Sequence, residues 1–319
     1  MSLSKKGWFI VSGAVFAVVV LAAVFVAGVM AGASDIFGNS GTKSSSASDK
    51  EQRMDAEEQF NLGLRYASGE GVEKDLKRAV ELYRKAAEQG DAKAQHNLGA
   101  CYERGRGVPK DLKEAVKWWR KAADQGYAKA QYNLGVCYDN GWGVPKDLEK
   151  AVYWYRKAAE QGLKEAQFNL GACYENGRGV EKDRRQAAKW YRKAADQGDA
   201  EAQFNLGQCY KKGDGVAKDL DKAVYWWRKA AEQGMKEAQF NLGCCYFEGE
   251  GVEKDLRQAV YWFRKAAAQG MKEAQYNLGN SYYNGRGVEK DLRQAVYWFR
   301  KAAAQGYAPA QEALKRLGY

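Results

Sequence analysis

A 36-residue period governs this 319-residue chain. Gly90, Gly126, Gly162, Gly198, Gly234, Gly270 and Gly306 mark it, six equal steps with neither insertion nor deletion. A fixed period in the thirties excludes a single central core. Each unit is one supersecondary element whose apolar face its neighbours must cover. A length that would otherwise suggest about two domains therefore reads as one stack of units over 55–306.

The unit 127–162 shows the local logic. Ala130, Leu134, Cys137 and Tyr138 fall on one face of a helix, helix A. Gly141 follows as a left-handed stop, and Trp142 to Lys146 form the turn. Asp147 then caps a second periodic run, helix B, with Leu148, Ala151, Val152, Tyr155, Ala158 and Ala159 on one face. Asp111/Glu114, Asp255/Gln258 and Asp291/Gln294 have the spacing of a reciprocal capping box. A glycine recurs inside helix A (Gly63, Gly99, Gly135, Gly171, Gly207, Gly243, Gly279). At about 1 kcal/mol against alanine it demands a packing reason, which close approach of a neighbouring helix or its aromatic supplies. The expectation is two antiparallel helices per unit.

The pattern A-x-x-x-L-G-x-x-Y, G-x-G-V-x-x-D, K-A-x-x-W-Y-x-K-A-A-x-x-G resembles the Sel-one-like repeat family, a relative of the tetratricopeptide repeat. Residues 127–162 carry it at Ala130, Leu134, Gly135, Tyr138, Gly141, Gly143, Val144, Asp147, Lys150, Ala151, Trp154, Tyr155, Lys157, Ala158, Ala159 and Gly162. The resemblance implies an all-α, right-handed superhelical solenoid. Seven helix-turn-helix repeats would span 55–306, with a capping helix in 307–319. It also implies a protein-binding scaffold, often of bacterial envelopes or signalling complexes. Departures occur in repeat one (Glu58, Leu82) and repeat four (Arg184 for Leu, Ala188 for Val). The thinned apolar face of repeat four predicts the least stable unit, 163–198, and a hinge.

Ahead of the repeats, Gly7–Met30 carries no charge and follows Lys5 and Lys6. It exceeds the 20 or so apolar residues that span a bilayer and predicts a single-pass anchor over 7–30. Residues 1–6 would then be cytoplasmic and the repeats extracytoplasmic, periplasmic in a Gram-negative cell. Ala31-Gly32-Ala33 offers the alternative, a signal peptide cleaved after Ala33 and a secreted product. Residues 31–54, rich in Ser and Gly, read as a flexible tether.

Little here suggests catalysis. The net charge of +11 is dispersed among mixed charges without a block of five or six of one sign, so nucleic acid is not an expected partner. Cys101, Cys137, Cys173, Cys209 and Cys245 share one repeat position. Equivalent helices about 8–10 Å apart lie beyond disulfide reach of about 7 Å, so the thiols read as small buried side chains. The within-repeat disulfide of some envelope members needs two cysteines per repeat and does not carry over. With His96 the only histidine, no metal, cofactor or catalytic triad is expected. The β-lactamase-like activity described for some family members would need a motif such as S-x-x-K, which the repeats lack.

Binding remains, and the tetratricopeptide relative assigns its surface to helix A. A first position, two residues before the Leu, reads Phe60, His96, Tyr132, Phe168, Phe204, Phe240 and Tyr276. This aromatic ladder reads as inter-repeat packing as well as a binding face. A second position reads Leu64, Ala100, Val136, Ala172, Gln208, Cys244 and Asn280. A third reads Ala67, Glu103, Asp139, Glu175, Lys211, Phe247 and Tyr283. The last two vary while the framework does not, running from acidic in repeats two to four to aromatic in six and seven. An extended peptide, basic then apolar, complements them; drift at tolerant positions accounts for them equally. The unbroken ladder Asn61, Asn97, Asn133, Asn169, Asn205, Asn241 and Asn277 fits either a peptide backbone or the scaffold. Tyr153, Tyr225, Tyr261 and Tyr297 extend an aromatic run that one helix face cannot bury whole. With Trp142 they form a second candidate surface, as in a glycan-linked scaffold.

Overall fold

The computed structural model describes residues 54–319, which belong to one compact unit. The expected anchor and most of the tether lie outside the described residues. No helix among those described is long and apolar enough to cross a membrane.

Fifteen helices and no strand are present among the described residues. The A helices are α1 (Ala56–Ser68), α3 (Ala92–Arg104), α5 (Ala128–Asn140), α7 (Lys164–Asn176), α9 (Ala200–Lys212), α11 (Lys236–Glu248) and α13 (Lys272–Asn284). The B helices are α2 (Leu76–Glu88), α4 (Leu112–Asp124), α6 (Leu148–Glu160), α8 (Arg184–Asp196), α10 (Leu220–Glu232), α12 (Leu256–Ala268) and α14 (Leu292–Ala303). The last helix, α15 (Ala308–Arg316), packs on α14 and closes the stack. Each helix packs chiefly on the one before and the one after it, the nearest-neighbour build of a solenoid.

The turn inside each unit is fixed by backbone chemistry. Gly141 ends α5 at φ +75°, its N–H bonded to the Cys137 carbonyl. The Asp147 side chain accepts from the Lys150 N–H at the start of α6. Its own N–H donates to the Tyr138 carbonyl at 2.9 Å, a bond repeated in every unit from Asp75 to Tyr66 through Asp291 to Tyr282. That bond explains a correction. The expected boxes at Asp111, Asp255 and Asp291 accept from the helix but receive nothing back, because the aspartate N–H already closes the turn. The reciprocal box appears instead at the open end, Asp55 with Glu58.

The second loop glycine joins units. A Cβ on Gly143, at φ +69°, would lie inside the Leu112 carbonyl of the preceding repeat, and Gly179 meets Leu148 in the same way. The glycine inside helix A serves its own unit. A Cβ on Gly171 would sit 2.8 Å from the Tyr191 ring, and on Gly243 2.6 Å from Phe263. The intruding ring is thus the second aromatic of helix B. The first, the recurring Trp, bridges backward. Trp118 joins a core that combines helix B of repeat one with Ala94 and Leu98 of its own helix A. Trp190 joins one that runs from Ala166 and Leu170 of its own unit back through repeats three and two. One aromatic closes the pair and the other closes the stack.

Candidate functional site

Each unit places its helix A face over a polar floor. Gln131 is buried; its Nε2 donates to the Ala123 carbonyl while its Oε1 accepts from Gln161 Nε2 at 2.7 Å. The Gln–Gln bond recurs from Gln59/Gln89 to Gln275/Gln305, and the bond to the alanine carbonyl from Gln95 to Gln275. Sequence reasoning missed this ladder, since glutamine ordinarily reads as surface; its presence in all seven copies was the available signal. Also missed was an arginine ladder that ties units together. Arg84 donates to Tyr102 Oη at 2.7 Å, Arg156 to Tyr174 at 2.8 Å and Arg264 to Tyr282 at 3.0 Å.

The first helix A position is half-buried in most units and buried at Phe204. The aromatic ladder packs mainly within its own repeat, a correction to inter-repeat packing. Ring centroids lie 5.7–5.9 Å apart for Phe60–Tyr83, Tyr132–Tyr155, Phe168–Tyr191, Phe240–Phe263 and Tyr276–Phe299. The cause is the helix A glycine, which draws the helix B ring into contact. Only His96–Tyr127 and Tyr276–Tyr307 reach the next unit among the ring pairs of this position.

His96 is held between two asparagines. Nδ1 lies 3.3 Å from Asn97 Oδ1 and Nε2 lies 3.2 Å from Asn133 Nδ2. This fits a neutral ring donating from Nδ1 and accepting at Nε2. Burial pushes its pKa down to about 4, with Lys129 and Arg104 acting in the same direction. Where the preceding helix B carries a tyrosine the asparagine meets it, Asn169 reaching Tyr155 and Asn205 reaching Tyr191.

The third position is braced from below. Tyr191 Oη donates to Glu175 Oε2 at 2.7 Å. Tyr155 Oη lies 3.4 Å from Asp139, which also pairs with Arg178 from the loop of repeat four. Glu103 lies 3.5 Å from Arg104. At the other end, Lys211 stands over the Trp227 ring, Phe247 packs on Phe263 beside Phe240, and Tyr283 is exposed. Between them, Gln208 Nε2 and Asn241 Nδ2 are buried without a hydrogen-bond partner. Trp227 stands where a tyrosine hydroxyl would otherwise meet Asn241, so the asparagine ladder loses its partner there.

The cysteines are free, and burial raises Cys137, Cys173 and Cys209 to about 12, far from the thiolate. Among the described residues no group of three or more His, Cys, Asp or Glu side chains could hold a metal. Tyr153, Tyr225, Tyr261 and Tyr297 are 45–50% exposed, and Trp142 is 40% exposed.

The Sel1 repeat family model matches residues 59–91, 92–127, 128–163, 164–199, 200–235, 236–271 and 272–307. Among solved structures the chain is similar to c5321, a protective antigen present in uropathogenic Escherichia coli strains and displaying an SLR fold. The identity is 42%, covering 82% of this chain and 56% of that one, with a TM-score of 0.79. It is also similar to a Sel1 repeat protein from Oxalobacter formigenes, at 41% identity over 82% of this chain and 76% of that one, with a TM-score of 0.67. The chain thus spans little more than half of the E. coli relative. Comparison with curated proteins returns no match. With seven matched units in unbroken succession, the chain belongs to the Sel1 repeat family.

Proposed function

We propose that this solenoid is a non-enzymatic scaffold that binds an extended protein segment along the helix A face and is tethered to a membrane by Gly7–Met30, with the repeats outside the cytoplasm. The observation that carries the binding is chemical variation on an invariant frame. The glutamine, arginine and glycine ladders repeat without change, while the third helix A position passes from Glu103, Asp139 and Glu175 through Lys211 to Phe247 and Tyr283. The bracing of that position refines the reading. Asp139 pairs with Arg178 and Glu103 more loosely with Arg104, so Glu175 is the first charge a basic segment would meet and Glu103 the second. Phe247 and Tyr283 offer the apolar end. The tether rests on the uncharged run in 7–30, and the E. coli relative's role as a protective antigen agrees with a site outside the cytoplasm.

The test is proximity labelling from the native full chain, compared with the double variant Glu103→Lys/Glu175→Gln. Asp139 is left intact, since its loss would also release Arg178. The variant is expected to lose partners that the parent labels. An unchanged partner set would overturn the groove assignment, and turnover of nitrocefin by the purified chain would overturn the non-enzymatic reading.

A further inference from the structure

The outer surface of the B helices carries none of the groove positions, yet it changes character along the stack. In each unit three residues one turn apart share this surface: 113, 117 and 121 in repeat two, 257, 261 and 265 in repeat six, 293, 297 and 301 in repeat seven. In the earlier units acidic neighbours offset the cations. Lys117 pairs with Glu114 at 3.1 Å, Lys150 with Asp147 and Lys222 with Asp219 at 2.6 Å. Lys229 lies in the field of Asp196 and Glu232. Repeats six and seven keep the capping aspartates, Asp255 and Asp291, but the acids on the stripe itself go: Glu149 and Asp221, its first position in repeats three and five, are replaced by Arg257 and Arg293. Helices α12 and α14 contain no acidic residue: Gln258 and Gln294 stand where repeat two has Glu114, and Ala268 and Ala304 where repeat five has Glu232. Among the described residues no ion pair engages Arg257, Lys265, Arg293 or Lys301, and all four are exposed.

Between each pair of cations stands a half-exposed tyrosine. Tyr261 and Tyr297 are 45% and 47% exposed. Each is wedged edge-on against the following Trp at 4.9–5.0 Å. Lys265 and Lys301 lie over these rings at 4.8 Å. Two adjacent helices thus present the same stripe, cation–aromatic–cation, on rigid backbone. Eight residues of helix separate the two cations by about 12 Å, with the ring midway. In an extended peptide, residues four apart are separated by about 13 Å and point to the same side, as does the residue between them.

We propose that the outer face of repeats six and seven is a docking site for an extended acidic peptide of the form acid–x–apolar–x–acid, one carboxylate on Arg257 or Arg293, the other on Lys265 or Lys301, and the apolar side chain on Tyr261 or Tyr297. Arg supplies a planar fork that matches a carboxylate, and the half-exposed ring offers apolar area that is already ordered, so little entropy is lost on contact. Repeats two and four, whose stripes are Lys-Lys-Lys and Arg-Lys-Lys, carry comparable charge with no ring and with Asp124 and Asp196 on the same helices.

The experiment uses the full chain in nonionic detergent and a fluorescein-labelled peptide containing Glu-Gly-Phe-Gly-Glu, read by fluorescence anisotropy. A scrambled peptide of the same composition, with the two Glu adjacent, serves as its control. The parent is expected to bind the spaced peptide more tightly than the scrambled one. Reversing Arg257, Lys265, Arg293 and Lys301 to Glu should weaken binding by about tenfold or more, whereas reversing Lys113, Lys121, Arg185 and Lys193 leaves it within about twofold. Tyr261→Ser/Tyr297→Ser should abolish the preference for Phe over Ala at the central position while circular dichroism is unchanged. Equal binding of the two peptides, equal loss in the two charge-reversed proteins, or no binding by the parent would overturn the proposal.

Discussion

His96 shows how one residue can depart from a ladder without breaking it. It occupies a position filled elsewhere by Phe or Tyr and is accepted because Asn97 and Asn133 satisfy both ring nitrogens. Its folded pKa of about 4 lies below the ordinary 6.5. The unfolded chain therefore takes up this proton first as pH falls. Stability held above pH 6.5 drains away toward pH 4 and is constant below it, a loss of about 3 kcal/mol in all. His96→Phe should remove this component, so that chemical denaturation at pH 7 and pH 4 differs by less in the variant than in the parent. An equal difference in both proteins would contradict the buried, neutral imidazole. Gln167 makes the complementary case. Gln167→Leu would take one bond each from the Ala159 carbonyl and Gln197 Nε2, which keep their bonds to Gly162. It should cost about 1–2 kcal/mol, seen as faster amide exchange on both sides of the junction of repeats three and four.

At the scale of the element, each helix pair is closed by a ring against a glycine, and each loop is closed against the preceding unit by another. The two glycines should therefore fail differently. Gly171→Ala meets the Tyr191 ring, which can shift, at a cost of about 1–3 kcal/mol confined to repeat four. Gly179→Ala adds a left-handed φ of +67° and meets the Leu148 backbone, which cannot yield. It should open the junction of repeats three and four, detectable as proteolytic nicking between 177 and 183. If both substitutions melt alike, the division of labour is wrong. Repeat four remains the expected weak unit. Its Ala188 is buried with less apolar area than the valine of other units, and Arg184 recovers only a surface pairing with Asp214 at 3.3 Å. Such pairs contribute about 0–1 kcal/mol. Protection of repeat four equal to that of repeat five in amide exchange would remove this expectation.

At the scale of the molecule, stability is a sum over units and junctions. Because the Arg–Tyr, Gln–Gln and Gly–carbonyl contacts recur at one period, deleting residues 199–234 should rejoin repeat four to repeat six with the contacts restored. The shortened chain should remain helical and cooperative, with a modestly lower Tm by calorimetry; an unfolded product would refute interchangeable units. The number of units, the helix pairing, the glycine stops, the aspartate caps and the burial of Cys137, Cys173, Cys209 and Cys245 were legible in the sequence, because each is local or repeats at a fixed spacing that chain geometry turns into position; Cys101 is only half-buried. What the tertiary structure alone decided concerns partners far apart in the chain. It assigned the two helix B aromatics to different neighbours, sent the helix A ladder inward to its own repeat, turned the aspartate N–H from a capping box to the turn, and paired Gln with Gln 30 residues away. Spacing states which residues share a face, but not which ring or amide reaches the space between two helices first. That contest is settled by packing, where a missing Cβ admits one side chain and excludes another.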